Sequence, residues 1–225
     1  LFTYLLPVLA VSKKAADKPR WERRKESRPS ELLDAALDLF IERGFNATRL
    51  DDVAQRAGVS KGTLYIYFTN KEDLFKAVIR KGMVPYLQRA EQLIDEYRGS
   101  SRDLIKQIIK GWWDSIGATR LSGIPKLVVA ESGNFPELAR FYLEEVIHRG
   151  QGICARALQR GIDSGEFRKM DVNYALRIVI APVVLLLIWK HSLQPYERKV
   201  LNVERYLKTH LEILFEGICN TDKKR

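Results

Sequence analysis

Apolar side chains recur along this chain at intervals of three and four residues with polar ones between them, the period of amphipathic helices rather than strands. Leu33, Ala36, Leu37 and Phe40 mark the inner face of a first helix that Gly44 ends, with Phe45 packing behind it. Val53, Ala54 and Ala57 share one face of a short second helix from Leu50 to Ala57, while Asp51, Asp52, Gln55 and Arg56 face water. Leu64 and Phe68 point inward from a third. Thr48 is placed to cap the second helix and Ser60 the third. Between them Gly58 can take the left-handed conformation that ends a helix without a Cβ clash, and Val59 drops inward. Lys71 opens a longer helix through Leu74, Phe75, Val78 and Ile79, which Pro85 should kink or break before the pattern resumes toward Tyr97.

Beyond Gly99-Ser100-Ser101, helical patterns cover about 102–118, 125–132, 136–164, 172–192 and 197–218, with Gly150 and Gly152 weakening the case for one unbroken central helix. No alternating β-branched run, internal repeat or low-complexity segment competes. The fold class read from this pattern is all-α: an N-terminal three-helix helix-turn-helix domain followed by a larger helical domain.

The third helix carries the chemistry. Its outward side holds Thr63, Ile66 and Tyr67, with Tyr65 on the flank and Lys61 and Gly62 at its start. Lysine, hydroxyls and a residue without a side chain suit phosphates and base edges, so this surface fits a nucleic-acid groove. Gly44-Phe45, Thr48, Asp52-Val53-Ala54, the run Ala57 to Tyr65, Tyr67-Phe68, Lys71-Glu72 and Leu74-Phe75 together resemble the DNA-binding domain of the TetR/AcrR family of bacterial regulators. The resemblance implies phosphate or base contacts from Thr48, Lys61, Gly62, Thr63, Tyr65, Tyr67 and Lys71. Ile66 departs from it, since some relatives carry an aromatic or polar residue there.

The resemblance is weaker downstream, where Glu131, Phe135 to Ala139, Gly161 to Phe167 and Ile188-Trp189 look like the regulatory domains of one subgroup. It implies a homodimer formed by the last two long helices, for which Val183, Leu186, Leu187, Leu207, Leu211, Leu214 and Phe215 supply apolar surface. It also implies a double-stranded, near-palindromic operator read by paired recognition helices, and repression relieved by a small-molecule effector. Residues 1–29 are read as a disordered arm, 30–81 as the DNA-binding domain and 82–220 as the regulatory and dimerisation domain. For an apolar effector the candidate wall is Trp112, Trp113, Phe141, Tyr142, His148 and Trp189, each of which also serves as ordinary core or, for His148, as a bonded half-buried histidine.

Charge alone does not locate the interface. The formal net charge is +10, and residues 1–81, with 16 Lys/Arg against 11 Asp/Glu, carry only +5 of it. The sharpest excess, eight basic residues against four acidic between Lys13 and Glu31, fits either a solvated tail or an arm that reaches phosphates. The apolar stretch Leu1 to Val11, interrupted by Pro7, is too short to span a bilayer and lacks preceding basic residues, and a chain opening on Leu1 suggests a mis-called start or upstream-frame translation. Ile178 to Trp189 contains Pro182 and reads as a buried helix, so a cytoplasmic protein without membrane partner is expected.

Cys154 and Cys219 have neither metal-ligand nor disulfide spacing, and no metal or cofactor is expected. Enzyme chemistry finds little support. Glu145 and His148 form a single Glu-x-x-His pair where a di-iron bundle needs two, and Ser60 to Thr63 lacks the preceding glycine and the strand of a phosphate loop. A helical-bundle enzyme and a helical scaffold or membrane-surface protein remain the competing classes.

Overall fold

The predicted periodicity appears as eleven α-helices in a computed structural model that describes residues 20–220, with side chains from residue 28 onward. The first is α1 (Arg20–Ala47). Arg20 to Pro29 were expected in the disordered arm but belong to this helix; their Glu, Arg and Lys are good helix formers, a preference that polarity concealed. The rest of the arm, 1–19, and the apolar stretch within it lie outside the described residues.

Gly44 leaves helical geometry at φ 83°, ψ 167°, which turns Phe45 into the core. There its ring sits 5.5 Å from both Phe40 and Phe75. α2 (Leu50–Arg56) and α3 (Lys61–Tyr67) follow, joined through Gly58 at φ +65°. Ser60 caps α3 as its position predicts, accepting the Thr63 N–H at 3.2 Å. Thr48 does not cap α2. The N-cap is Arg49, without a side-chain bond, and the Thr48 hydroxyl instead lies within reach of two carbonyls of the preceding helix, Gly44 O at 2.7 Å and Leu39 O at 3.2 Å.

α4 (Lys71–Gly82) and α5 (Val84–Glu96) form the connector, broken at buried Met83 where Pro85 occupies the first turn of the new helix. The regulatory half contains α6 (Ser101–Trp112), α7 (Ile124–Glu131), α8 (Pro136–Tyr142), α9 (His148–Asp163), α10 (Val172–Ser192) and α11 (Val203–Ile218). π-helical turns at Trp113–Gly117 and Leu143–Ile147 extend α6 and join α8 to α9. The central helix therefore runs unbroken, and a Cβ at Gly150 or Gly152 would meet open space. Gly161 is different: a Cβ there would sit 2.1 Å from the buried Phe167 ring, so the Gly161 to Phe167 stretch is a close approach of backbone to aromatic.

α11 begins at Val203 rather than near Glu197, because the Asn202 side chain accepts the Arg205 N–H at 2.9 Å and starts the helix there. Tyr206 on α11 donates to Pro182 O at 3.1 Å and His210 Nε2 pairs with Val179 O at 3.0 Å, bracing α10 where Pro182 lacks its N–H. By length and composition α10 could cross a membrane, with a mean hydropathy of 2.1. In the fold it packs on α7 and α9 through buried Leu176, Val179, Val183, Leu186 and Leu187.

This packing corrects the expected dimer face. Val183, Leu186, Leu187, Leu214 and Phe215 are buried within the protomer, and Leu207 and Leu211 are half-buried. Within α10 and α11 the apolar side chains left exposed are Tyr174, Ile178, Ala181 and Leu185, at steps of four, three and four along α10, with Ile213 on α11.

Candidate nucleic-acid interface and effector cavity

The short helices α2 and α3 present one surface. Leu64 is fully buried and Phe68 nearly so, which turns Tyr65 and Ile66 outward, Ile66 at 79 % exposure. Lys61 and Gly62 are exposed at the start of α3, and the half-buried Thr63 shares a 2.9 Å hydroxyl bond with Ser60. Lys61 is held by Asp51 across the turn, Nζ to Oδ1 2.9 Å, and that bond raises its pKa. Both partners are more than half exposed, so the pair is weak and easily exchanged for a phosphate. Tyr67 is half-buried beside Phe68, ring centroids 6.5 Å apart.

Two predicted contacts sit apart from this surface. Thr48 is 1 % exposed and its hydroxyl is turned inward. Lys71 is half-buried, donates to Asn46 O at 3.0 Å and lies 4.6 Å from the centre of the Phe45 ring, and burial lowers its pKa. Both residues hold the turn between α1 and α2.

In the regulatory half, helices α5 to α10 enclose a cavity of about 410 Å³. Its walls are aliphatic, with Ile108 and Ile109 on α6, Val128 on α7, Ile153 on α9 and Ile180 on α10. Val129, Ile147, Arg177 and Ala181 line it while exposed, so the mouth opens between α7, the start of α9 and α10. Of the six predicted wall residues, Trp112 and Tyr142 line the cavity. The other four do not. Trp113 lies in the π-turn with the Lys190 ammonium 5.8 Å from its ring, Phe141 lies under Lys76 and Arg80, Trp189 is half-buried elsewhere and His148 is exposed.

Sequence reasoning missed Tyr86 and Cys154. The Tyr86 hydroxyl donates to Ile108 O at 2.7 Å, and burial pushes the Cys154 thiol up to about 12. Among the described residues no group of His, Cys, Asp and Glu could hold a metal ion.

The cavity and the DNA-facing surface share a joint. Val128 of α7 lines the cavity and also a small void bounded by Phe45, Phe75, Glu131 and Phe135. Glu131, the last residue of α7, accepts the Asn46 backbone N–H at 3.2 Å, and the Phe135 ring packs edge-on to Phe45 at 4.7 Å. A second tie runs from Arg120 to Asp38 of α1 at 2.6 Å.

A helix-turn-helix bearing an exposed basic and aromatic helix, joined to a helical domain with an apolar cavity, defines a ligand-responsive, DNA-binding transcriptional repressor. Residues 32–78 match the family described as bacterial regulatory proteins, tetR family, and residues 105–194 match the AefR-like transcriptional repressor C-terminal domain. The chain belongs to the tetR family.

It is 28 % identical over 200 residues to the fatty acid metabolism regulator protein of Bacillus subtilis, covering 87 % of this chain and 99 % of that one. It is 25 % identical over 198 residues to the transcriptional repressor KstR2 of Rhodococcus jostii, covering 87 % and 93 %. Among solved structures, FadR from Bacillus subtilis in complex with stearoyl-CoA superposes with a TM-score of 0.71 at 25 % identity, covering 84 % of this chain and 98 % of that one.

Proposed function

We propose that this repressor binds a near-palindromic operator as a homodimer in the bacterial cytoplasm and leaves it when a long-chain acyl thioester enters the cavity. The observation that carries the reading is the cavity itself: about 410 Å³ with aliphatic walls, within the usual size of small-molecule sites, and with exposed Arg177 at its mouth. An aliphatic chain matches the walls, and a cation outside matches an anionic head group. The relatives support the class, since one is a fatty acid metabolism regulator and one was solved with stearoyl-CoA.

Lys61, Gly62, Thr63, Tyr65 and Tyr67 form the contact set on each protomer, with Thr48 and Lys71 supporting the turn behind them. The exposed stripe on α10 and Ile213 on α11 form the self-complementary face, which sets two recognition helices about 34 Å apart along one side of a duplex. Filling the cavity displaces α7, whose last residue holds the turn before α2. The protein carries out no reaction on what it binds.

Fluorescence anisotropy on duplexes tiled across the DNA upstream of its own gene tests this. One duplex with an inverted repeat should bind far above random sequence, with an affinity that falls steeply with salt, and stearoyl-CoA should weaken it by roughly five- to 150-fold, the usual scale of coupling between sites. Binding that every acyl thioester leaves unchanged overturns the effector reading.

A further inference from the structure

Two tyrosines line the cavity, and they differ in one respect. Tyr86 spends its hydroxyl on Ile108 O, whereas the Tyr142 hydroxyl has no hydrogen-bond partner among the described residues although Tyr142 is only 6 % exposed. A phenol that no protein group engages keeps its donor free for an occupant of the space beside it. Nor is the group sealed into the packing. Among the described residues, the fully enclosed side-chain polar atoms without a partner reduce to Arg160 Nη1, so the phenol oxygen is not fully enclosed, and Tyr142 is a residue of the cavity wall.

The helix geometry points the same way. Tyr142 is the last residue of α8, and the chain widens into a π-helical turn at Leu143–Ile147 immediately after it, bringing Val146 and Ile147 to the same wall. π-turns inside helices concentrate at functional sites. The cavity wall is mostly aliphatic, so an occupant without an oxygen acceptor leaves the hydroxyl as it is and gains nothing from it. An occupant with one satisfies it in a dry site, where a hydrogen bond discriminates strongly against the analogue that lacks it.

We infer that Tyr142 reads a carbonyl oxygen on an otherwise apolar effector, donating its phenolic hydrogen to that oxygen and so selecting acyl compounds over alkyl ones of equal length. The inference rests on the acyl-thioester reading given above and deepens it to one atom.

The test compares stearoyl-CoA with S-octadecyl-CoA, the thioether in which a methylene replaces the carbonyl, on the wild-type protein and on Tyr142→Phe. Binding is read by calorimetry and by release of operator DNA. The wild type should prefer the thioester by roughly tenfold, the scale of one buried neutral hydrogen bond, and Tyr142→Phe should bind both compounds alike while melting as the wild type does. A preference that survives in Tyr142→Phe, or a wild type that binds both compounds equally, overturns the inference and leaves the acyl effector standing. Failure of the wild type to bind either compound overturns both. Should Tyr142→Phe melt early, Tyr142→Leu serves as the second variant: it also lacks the donor and fills less space, and an undiminished preference there overturns the inference.

Discussion

Glu131 closes α7 by accepting the backbone N–H of Asn46 at 3.2 Å, so the helix that walls the cavity ends on the turn that aims α2 and α3. On the other side of that residue, Lys71 donates to Asn46 O at 3.0 Å. One residue's backbone is therefore held from the regulatory half and from the start of the connector at once. Gly44, at φ +83°, makes room for this: a Cβ there would lie 3.2 Å from Glu131 Oε1.

Glu131→Ala should leave operator affinity without effector within about threefold of wild type, since the turn keeps Lys71, Thr48 and the Phe45 packing. The response to effector should shrink, with most of a coupling of roughly 1 to 3 kcal/mol removed. Anisotropy titrations with and without stearoyl-CoA measure both quantities. An undiminished response removes Glu131 from the transmission.

Lys61 and Asp51 make a pair of opposite predictions. Lys61→Ala should weaken operator binding and lower the slope of log K against log salt by roughly one for each phosphate deprived of its lysine. Asp51→Asn frees the same ammonium and removes a charge that repels phosphate, so affinity should rise by roughly two- to fivefold at low salt. If both variants move affinity in one direction, Lys61 acts through the fold and not through phosphate.

How much of this could be read from the chain follows from where each constraint originates. Gly58, Ser60, Leu64 and Phe68 act within a few residues of themselves, and the predicted turn, cap and inner face are those observed. Thr48 looked the same as a capping threonine, but its partners are carbonyls at Leu39 and Gly44 in a helix that runs on past a kink, which no local pattern announces. The cavity was harder. By residue type Phe141 and Tyr142 are equal candidates for the wall, and nothing in the sequence says that one meets Lys76 and Arg80 while the other lines the cavity. Most of the wall is isoleucine and valine, indistinguishable by type from packed core. The apolar surface of α10 and α11 was misplaced for the same reason in reverse: their most apolar positions are taken by the protomer's own core, and less conspicuous ones are left outside.

His191 gives a pH dependence whose sign is fixed. Its Nε2 lies 2.8 Å from the hydroxyl of Ser122, which is 1 % exposed and donates to Thr119 O at 2.7 Å, so the neutral ring donates to Ser122. Burial first, then Lys190 and Lys126, lower its pKa below the ordinary 6.5. The unfolded chain thus takes up the proton before the folded one does. The stability involved is present above pH 6.5 and is lost as pH falls through the lower folded value. Melting temperature followed from pH 7.5 to 5 should decline less steeply in His191→Gln than in wild type. Parallel curves would assign the acid loss to other groups.

The stripe on α10 makes the last prediction. Ile178 and Leu185 are 67 % and 56 % exposed and lie seven residues, two helical turns, apart on one face, with Ile213 of α11 also outside. A helix face this apolar needs a cover, and a two-fold pairing of the same face with itself supplies one without further components. Ile178→Glu with Leu185→Glu places four like charges across such a pairing and nothing against the protomer core, because neither side chain is buried in it. The double variant should therefore melt within a few degrees of the wild-type protomer, run as a monomer in sedimentation, and lose at least about a hundredfold in affinity for a full operator while binding an isolated half-site as the wild type does. A dimer that persists in the double variant would move the symmetric contact to another face, whereas a monomer that still grips the full operator with wild-type affinity would show that the two half-sites are not read as a pair.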